Sequence, residues 1–339
     1  MSELKSLRTG PYTSAHLVRW CAAQQNWDKI HYDLPYTQKH GGLRERVVNG
    51  ALKQHLLARF IDEAFDGRAR IVRLNYKFTG PDFVGESLEV RGRVAKSEDL
   101  DGATVAHVEL ESWNLQQEKI TTPGTAIVVL DRAVHGEDPW NGLPAAWRLD
   151  ETVGPEDSAV PAEVRALLGQ EDEQVTSFCP LDLSRLRLFA DAVGGLRAVY
   201  FDPNAASAAG LDAVVAPPLF PIHALEPAPG ELALSTDDIA MGREAVNEVG
   251  RNFARRFGFP GNGMVNGGNE CEVHSLLRVG ETAMATSRLL SASVKAGARG
   301  GDMLFTTTLN TYRTTSGRTL LRERQLIIYR NFNAKEAVA

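Results

Sequence analysis

The stretch Asn26-Trp27-Asp28-Lys29-Ile30-His31-Tyr32-Asp33 places an imidazole among two carboxylates and an amide. Imidazole changes charge near neutral pH, so His31 can both take and return a proton there. A nearby ionised carboxylate such as Asp28 would raise its basicity. Asn26 can orient a water but has no proton to trade. A second piece of chemistry stands at Val48-Asn49-Gly50, where a long helical pattern begins. The first turn of a helix leaves backbone N–H groups without intrahelical partners and carries the positive end of the helix dipole. Negative charge developing on an oxygen can be held at such a place, and Gly50 is the residue assigned to that task. Asn49 suits a helix cap as well as it suits holding a water.

The remaining candidates read more plainly. Tyr32 suits packing, and Asp33 suits capping the segment that follows it. His40, His55, His107, His135, His223 and His274 have no supporting pattern and read as surface or packing residues, and His16 has no assigned role. Cys21, Cys179 and Cys271 are widely separated, with neither a CxxC pair nor zinc-type spacing, so all three read as small buried apolar residues.

To position such a pair of groups the chain needs a scaffold, and its 339 residues exceed the roughly 100–200 of a single domain. With 43% apolar and 24% charged residues the composition is that of an ordinary globular protein. A net charge of -6 and the lack of a Lys/Arg-rich run argue against a nucleic-acid partner. Met1 to Gly10 lacks the apolar stretch of a secretory signal and no window approaches a membrane span, so a cytoplasmic location is expected.

The two halves resemble each other. A helical pattern at Leu17–Ala23 leads to His31-Tyr32-Asp33, and another at Leu188–Val193 leads to Tyr200-Phe201-Asp202. Val47-Val48-Asn49-Gly50-Ala51-Leu52 and Val214-Val215-Ala216-Pro217-Pro218-Leu219-Phe220 each open a long helix candidate. Phe83-Val84-Gly85-Glu86 matches Arg278-Val279-Gly280-Glu281. Both halves close with two alternating, β-branched strands, Thr104 to Trp113 and Thr121 to Leu130, then Met303 to Tyr312 and Thr319 to Tyr329. Residues 1–133 therefore form one unit, 134–161 a Pro-, Gly- and acid-rich linker, and 162–339 a second unit carrying an insertion near Glu226 to Pro260. The expected fold class is α+β: in each unit a curled antiparallel sheet wraps a long helix, with Leu52, Leu56, Leu57, Phe60 and Ile61 facing the first sheet. Joining the units edge to edge would hide two sheet edges.

The Asn26–Asp33 segment resembles the active-site segment of the MaoC-like, hydratase-2 group of hot-dog enzymes, and the resemblance extends over nearly the whole chain, from Thr13 to Leu130 and from Leu183 to Tyr329. It implies a double hot-dog fold and reversible hydration of a 2-enoyl thioester, equivalently dehydration of an (R)-3-hydroxyacyl thioester. Coenzyme A or acyl carrier protein would carry the acyl group, and neither metal nor organic cofactor is called for. It also implies that His31 is the base, that the Gly50 N–H touches the thioester oxygen and that Asn49 stands where the group usually has histidine. The sequence departs from the pattern at Asn26, where most members carry Asp, and at Asp28, where many carry Asn, as if the two had been exchanged. Either Asp28 is then the second acid or base, or His31 acts largely alone. In the second half Tyr200 replaces His31, Gly195 replaces Asn26 and Pro217 removes an N–H, so one active site per chain is expected. Double units of this kind could pair as homodimers. Hot-dog folds also host thioesterases, and a non-catalytic acyl-thioester-binding subunit is the remaining alternative.

Overall fold

The computed structural model describes residues 2–100, 102–130, 139–226, 228, 243–246, 264–297 and 301–330. Helix α1 (Ser14–Gln24) starts at a reciprocal cap, in which Thr13 Oγ1 accepts from the His16 N–H and His16 Nδ1 accepts from the Thr13 N–H. That gives His16 a role the sequence had not assigned. After the short α2 (Leu34–Lys39), Asn49 caps the long α3 (Gly50–Ala64). Asp33 caps α2 by accepting from the Tyr36 N–H at 2.9 Å, the role read for it.

Four strands follow α3: β1 (Ala69–Lys77), β2 (Leu88–Leu100), β3 (Ala103–Asn114) and β4 (Lys119–Leu130). The second half repeats the plan with α4 (Leu183–Val193), α5 (Pro203–Ala208), β5 (Met264–Val273), β6 (Ala283–Ala296), β7 (Asp302–Thr314) and β8 (Thr319–Arg330). All eight belong to one antiparallel sheet in the order β2-β3-β4-β1-β5-β8-β7-β6, a palindrome of the repeat. The join is β1 against β5, with Cys271 opposite Leu74 and Asn269 opposite Tyr76. Pairing these edges gives each backbone row a partner it would lack in an isolated unit. At this join Gly268 has φ +134, and a side chain there would meet the Tyr76 carbonyl at 2.4 Å.

Helix α3 buries the predicted Leu52, Leu56, Leu57, Phe60 and Ile61, and also Lys53, Gln54 and His55. Burial on nearly every side makes it the central rod of the first half. The second half differs from expectation. Val214 to Leu219 is not helical, and only one turn, Phe220–His223, follows. Pro217, Pro218 and Pro221 lack the N–H groups that a helix needs. The insertion read near Glu226 to Pro260 lies largely outside the described residues. On the far side of the sheet from α3, residues 139–168 bury Trp140 against Val72, Val105 and Val129, and Val160 and Val164 against Leu289 and Leu304. Among the described residues no helix is long and apolar enough to cross a membrane.

Candidate active site

His31 ends a single helical turn, Lys29–His31, whose start is capped by Asp28: Oδ1 accepts from the Ile30 N–H at 3.2 Å. The Ile30 carbonyl accepts from the Val47 N–H at 3.1 Å, which ties this turn to the approach of α3. The imidazole is buried, with Nδ1 2.8 Å from the Val47 carbonyl and Nε2 3.0 Å from Asn49 Nδ2. A carbonyl can only accept, so Nδ1 carries the proton. Asn49 Oδ1 accepts from the Ala51 N–H at 2.8 Å, so its other end must be the NH2 group and must donate. Both arguments leave His31 neutral with its Nε2 lone pair facing the start of α3. One asparagine therefore caps the helix and orients the imidazole.

Gly50 follows directly. The Ala51 N–H is taken by Asn49 Oδ1, and the Leu52 and Lys53 N–H groups turn back to the Asn49 carbonyl at 3.1 and 3.3 Å. Among the described residues the Gly50 N–H has no acceptor, so it is the open donor of this turn. A Cβ at Gly50 would meet the Phe78 ring at 3.0 Å, so a side chain there would press on the ring that lies beside the donor. The helix start is braced from below: Lys53 Nζ donates to Asp82 Oδ2 at 2.8 Å and to the Gly80 carbonyl at 3.1 Å, both side chains being buried. Asp82 also accepts from Asn114 at 2.7 Å and Thr121 at 2.9 Å, while its carbonyl receives the Val48 N–H at 2.7 Å. Charge and polar groups are thus paired, as a buried ion requires.

Asn26 and Asp28 lie on the short strand Asn26–Asp28, which pairs with Arg243–Val246. Asn26 Oδ1 accepts from the Asp28 N–H at 3.1 Å. Among the described residues no hydrogen bond joins either side chain to His31, whose ring nitrogens are taken by Val47 and Asn49. Asn26 lines a cleft next to the helix start, together with Ala51 and Gln54 of α3 and residues of β5, β7 and β8. The structure therefore brings His31, Asn49 and Gly50 together, sets Asn26 on the neighbouring cleft, and gives Asp28 a capping bond. Tyr32 packs edge-on against Trp27 and donates to its carbonyl at 3.0 Å.

Sequence reasoning missed the polar residues buried on α3. His55 Nε2 lies 3.0 Å from His223 Nε2, whose second neighbour is Gln54 Nε2 at 3.5 Å, and Gln54 Oε1 accepts from Tyr76. Burial pushes His223 down to about 3, helped by the Arg185 charge, and pushes His55 well below the usual histidine range, helped by His223. Both are neutral links between the halves. The available signal was the Lys53-Gln54-His55 run inside an otherwise apolar helix pattern.

The three thiols are all shifted away from the reactive thiolate form. Cys21 is pushed up to about 12 by burial and the Asp28 charge, Cys179 to about 11 chiefly by its bond to Glu226, and burial drives Cys271 upward as well. Cys179 corrects the reading of three buried cysteines, being only half-buried, with Sγ donating to Glu226 at 2.9 Å.

Comparison with known proteins divides along the same repeat. Residues 2–84 match the family model described as hydroxyacyl-thioester dehydratase type 2, and residues 167–323 match the one described as FAS1-like, dehydratase domain region. No match is found among curated protein sequences. Among solved structures, a MaoC domain protein dehydratase from Chloroflexus aurantiacus superposes with TM-score 0.61 at 11% identity over 97% of this chain and 96% of the other. A MaoC-like dehydratase gives 0.58 at 12% over 96% and 97%. A Mycobacterium tuberculosis protein described as having a double hotdog fold gives 0.54 at 14% over 97% and 96%. At such identities the structural likeness concerns the fold.

Proposed function

We propose that this chain, whose two halves match dehydratase family models and whose fold is similar to that of MaoC-like dehydratases, reversibly hydrates a 2-enoyl coenzyme A thioester to the (R)-3-hydroxyacyl ester at one site around His31. The observation that carries the reading is the neutral His31 Nε2, aimed by Asn49 at the helix start where the Gly50 N–H stands open. In the hydration direction, the incoming water displaces the Asn49 NH2 group from the Nε2 lone pair, and Nε2 takes a proton from that water as its oxygen bonds to C3 of the enoyl group. The electrons of the C2=C3 bond move toward the carbonyl, and the resulting enolate oxygen accepts from the Gly50 N–H at the positive end of α3. The imidazolium then returns its proton to C2, so that one water has been added across the double bond. Protonated Nε2 would face the Asn49 NH2 group, donor against donor, and this favours rapid release of the proton. Asn26 orients the water from the cleft side. Asp28, occupied with the Ile30 N–H, acts by holding the His31 turn in place.

The test is the loss of conjugated-thioester absorbance on adding the purified chain to crotonyl-coenzyme A and longer 2-enoyl esters. Turnover that disappears in His31→Ala and is weakened in Asn26→Ala is the expected result. Release of free coenzyme A without hydration would instead point to hydrolysis, and an inert wild type across short, branched and long esters would sink the proposal.

A further inference from the structure

The cleft that abuts the helix start has an unusual lining for a site that takes an acyl chain. Among the described residues of its wall, all but Ala51 and Ile222 carry polar side chains, including Asn26, Asn266, Asn269 and Gln325. Acyl tails of plain hydrocarbon are held by apolar walls, because burying amides without partners is costly. Two of the lining residues, Asn269 and Tyr312, are fixed from behind. Glu323, fully buried on β8, accepts from Asn269 Nδ2, from Asn310 Nδ2 at 3.2 Å and from the Tyr312 hydroxyl at 3.2 Å, while Asn310 Oδ1 accepts from Ser287 at 2.7 Å.

Asn269 is the telling member. Facing a carboxylate that accepts its bond, its amide must present NH2 to Glu323, which turns Oδ1 away. That oxygen is buried, in a residue only 3% exposed, and has no hydrogen-bond partner among the described residues. An orphaned buried acceptor on a cleft wall asks for a donor from whatever fills the cleft. The described lining holds no lysine or arginine, and a carboxylate stands one side chain behind it, so an anionic tail would find no cation to pair with.

Resting on the enoyl-thioester reading above, we propose that the preferred acyl group carries a hydroxyl beyond its reacting double bond, and that this hydroxyl donates to Asn269 Oδ1. Asn269 is then a specificity-determining residue supplied by the half that has lost its own histidine. A site built to pair a substrate hydroxyl discriminates strongly against the analogue without one, since the missing partner leaves the protein group unsatisfied.

Calorimetric binding of saturated thioesters tests this apart from catalysis. The wild type should bind 5- or 6-hydroxyhexanoyl-coenzyme A at least about tenfold tighter than hexanoyl-coenzyme A. Asn269→Leu should erase that ratio, and Gln325→Leu, on the same wall but outside the Glu323 network, should reduce it without removing it. Equal or weaker binding of the hydroxylated esters, no binding of either kind, or a ratio that survives in Asn269→Leu would overturn the proposal. Crotonyl-coenzyme A turnover, measured on the same preparations, reports separately on the hydratase reading, so an active enzyme without hydroxyl preference and a hydroxyl-selective binder without turnover are told apart.

Discussion

The same backbone frame is used twice in this molecule, once with the proposed site and once with its counterpart filled. Val47 bridges Phe83 in the first half as Val215 bridges Arg278 in the second. The Val48 N–H reaches the Asp82 carbonyl as the Ala216 N–H reaches that of Leu277, both at 2.7 Å. Glu86 and Glu281 each accept the backbone N–H three residues earlier, at 2.8 and 2.9 Å, and each pairs with an arginine. Against this shared frame, Asn49-Gly50 becomes Pro217-Pro218, so both the cap and the open N–H are lost. His31 becomes Tyr200, which is buried, pushed upward in pKa by its burial and bonded to Asp62 of α3, itself paired with Arg197 at 3.0 Å. What separates the proposed site from a structural joint here is a few side chains on a shared geometry of turn, bridge and strand, and the filled copy is put to use as a clasp between the halves.

The most severe way to erase the difference is His31→Tyr, which copies the second half at its key position. Loss of the base should lower kcat for enoyl-thioester hydration by about 10³-fold, within the range usual for a general base. Unfolding by urea should show whether the fold survives; a variant that is folded and retains more than a tenth of wild-type activity would remove His31 from the chemistry. Next in size is Gly50→Pro, which imitates Pro218. Proline is tolerated at the first position of a helix, but it deletes the open N–H, and removal of one such donor typically costs about 10²-fold in kcat. Gly50→Ala is the control, since it crowds Phe78 in the same way yet keeps the donor. Similar losses in both variants would assign the effect to crowding.

Much of this frame was legible in the sequence. Alternation located β3, β4, β7 and β8 to within one or two residues, and the recurrence of Phe83–Glu86 at Arg278–Glu281 announced the repeat. The apolar stripe of α3 and the Asp33 cap were also readable, because both follow from local rules of period and capping. What was hidden is tertiary. Periodicity could not say that Lys53 would be buried with Asp82, or that His55 would meet His223, since those partners lie 29 and 168 residues apart. The repeat suggested a helix after Val215, but Pro217, Pro218 and Pro221 forbid one there. Nor could the motif alone reveal that Asn49 would decide the His31 tautomer, since that depends on two bonds made at once.

Asn49 offers a smaller effect that sharpens the comparison. Asn49→Ala keeps the base and the Gly50 donor but frees the imidazole and leaves the Ala51 N–H uncapped. Stability should fall by about 1 kcal/mol, the usual value of a cap, and kcat by about tenfold as Nε2 loses its fixed direction. Urea titration and the crotonyl-coenzyme A assay give the two numbers. A stability loss with kcat unchanged would reduce Asn49 to a cap.

The expected effect farthest from the proposed chemistry concerns the joint between the halves, and it is read in pH. His223 in the folded chain is held down to about 3, and His55 is also well below its ordinary value of 6.5, which the unfolded chain regains. Below pH 6.5 the unfolded chain therefore takes up protons that the folded chain refuses, and stability must fall as pH drops and level off above about 7. For His223 alone the loss between pH 8 and pH 5 is about 2 kcal/mol, from about 1.4 kcal/mol per unit of separation. His223→Gln keeps a polar partner for His55 but cannot titrate, so its stability should depend less steeply on pH between 5 and 7 than that of the wild type. An unchanged slope would mean that the two imidazoles are hydrated and already free to charge, and that the halves are clasped mainly by Asp62, Arg197 and the β1–β5 ladder.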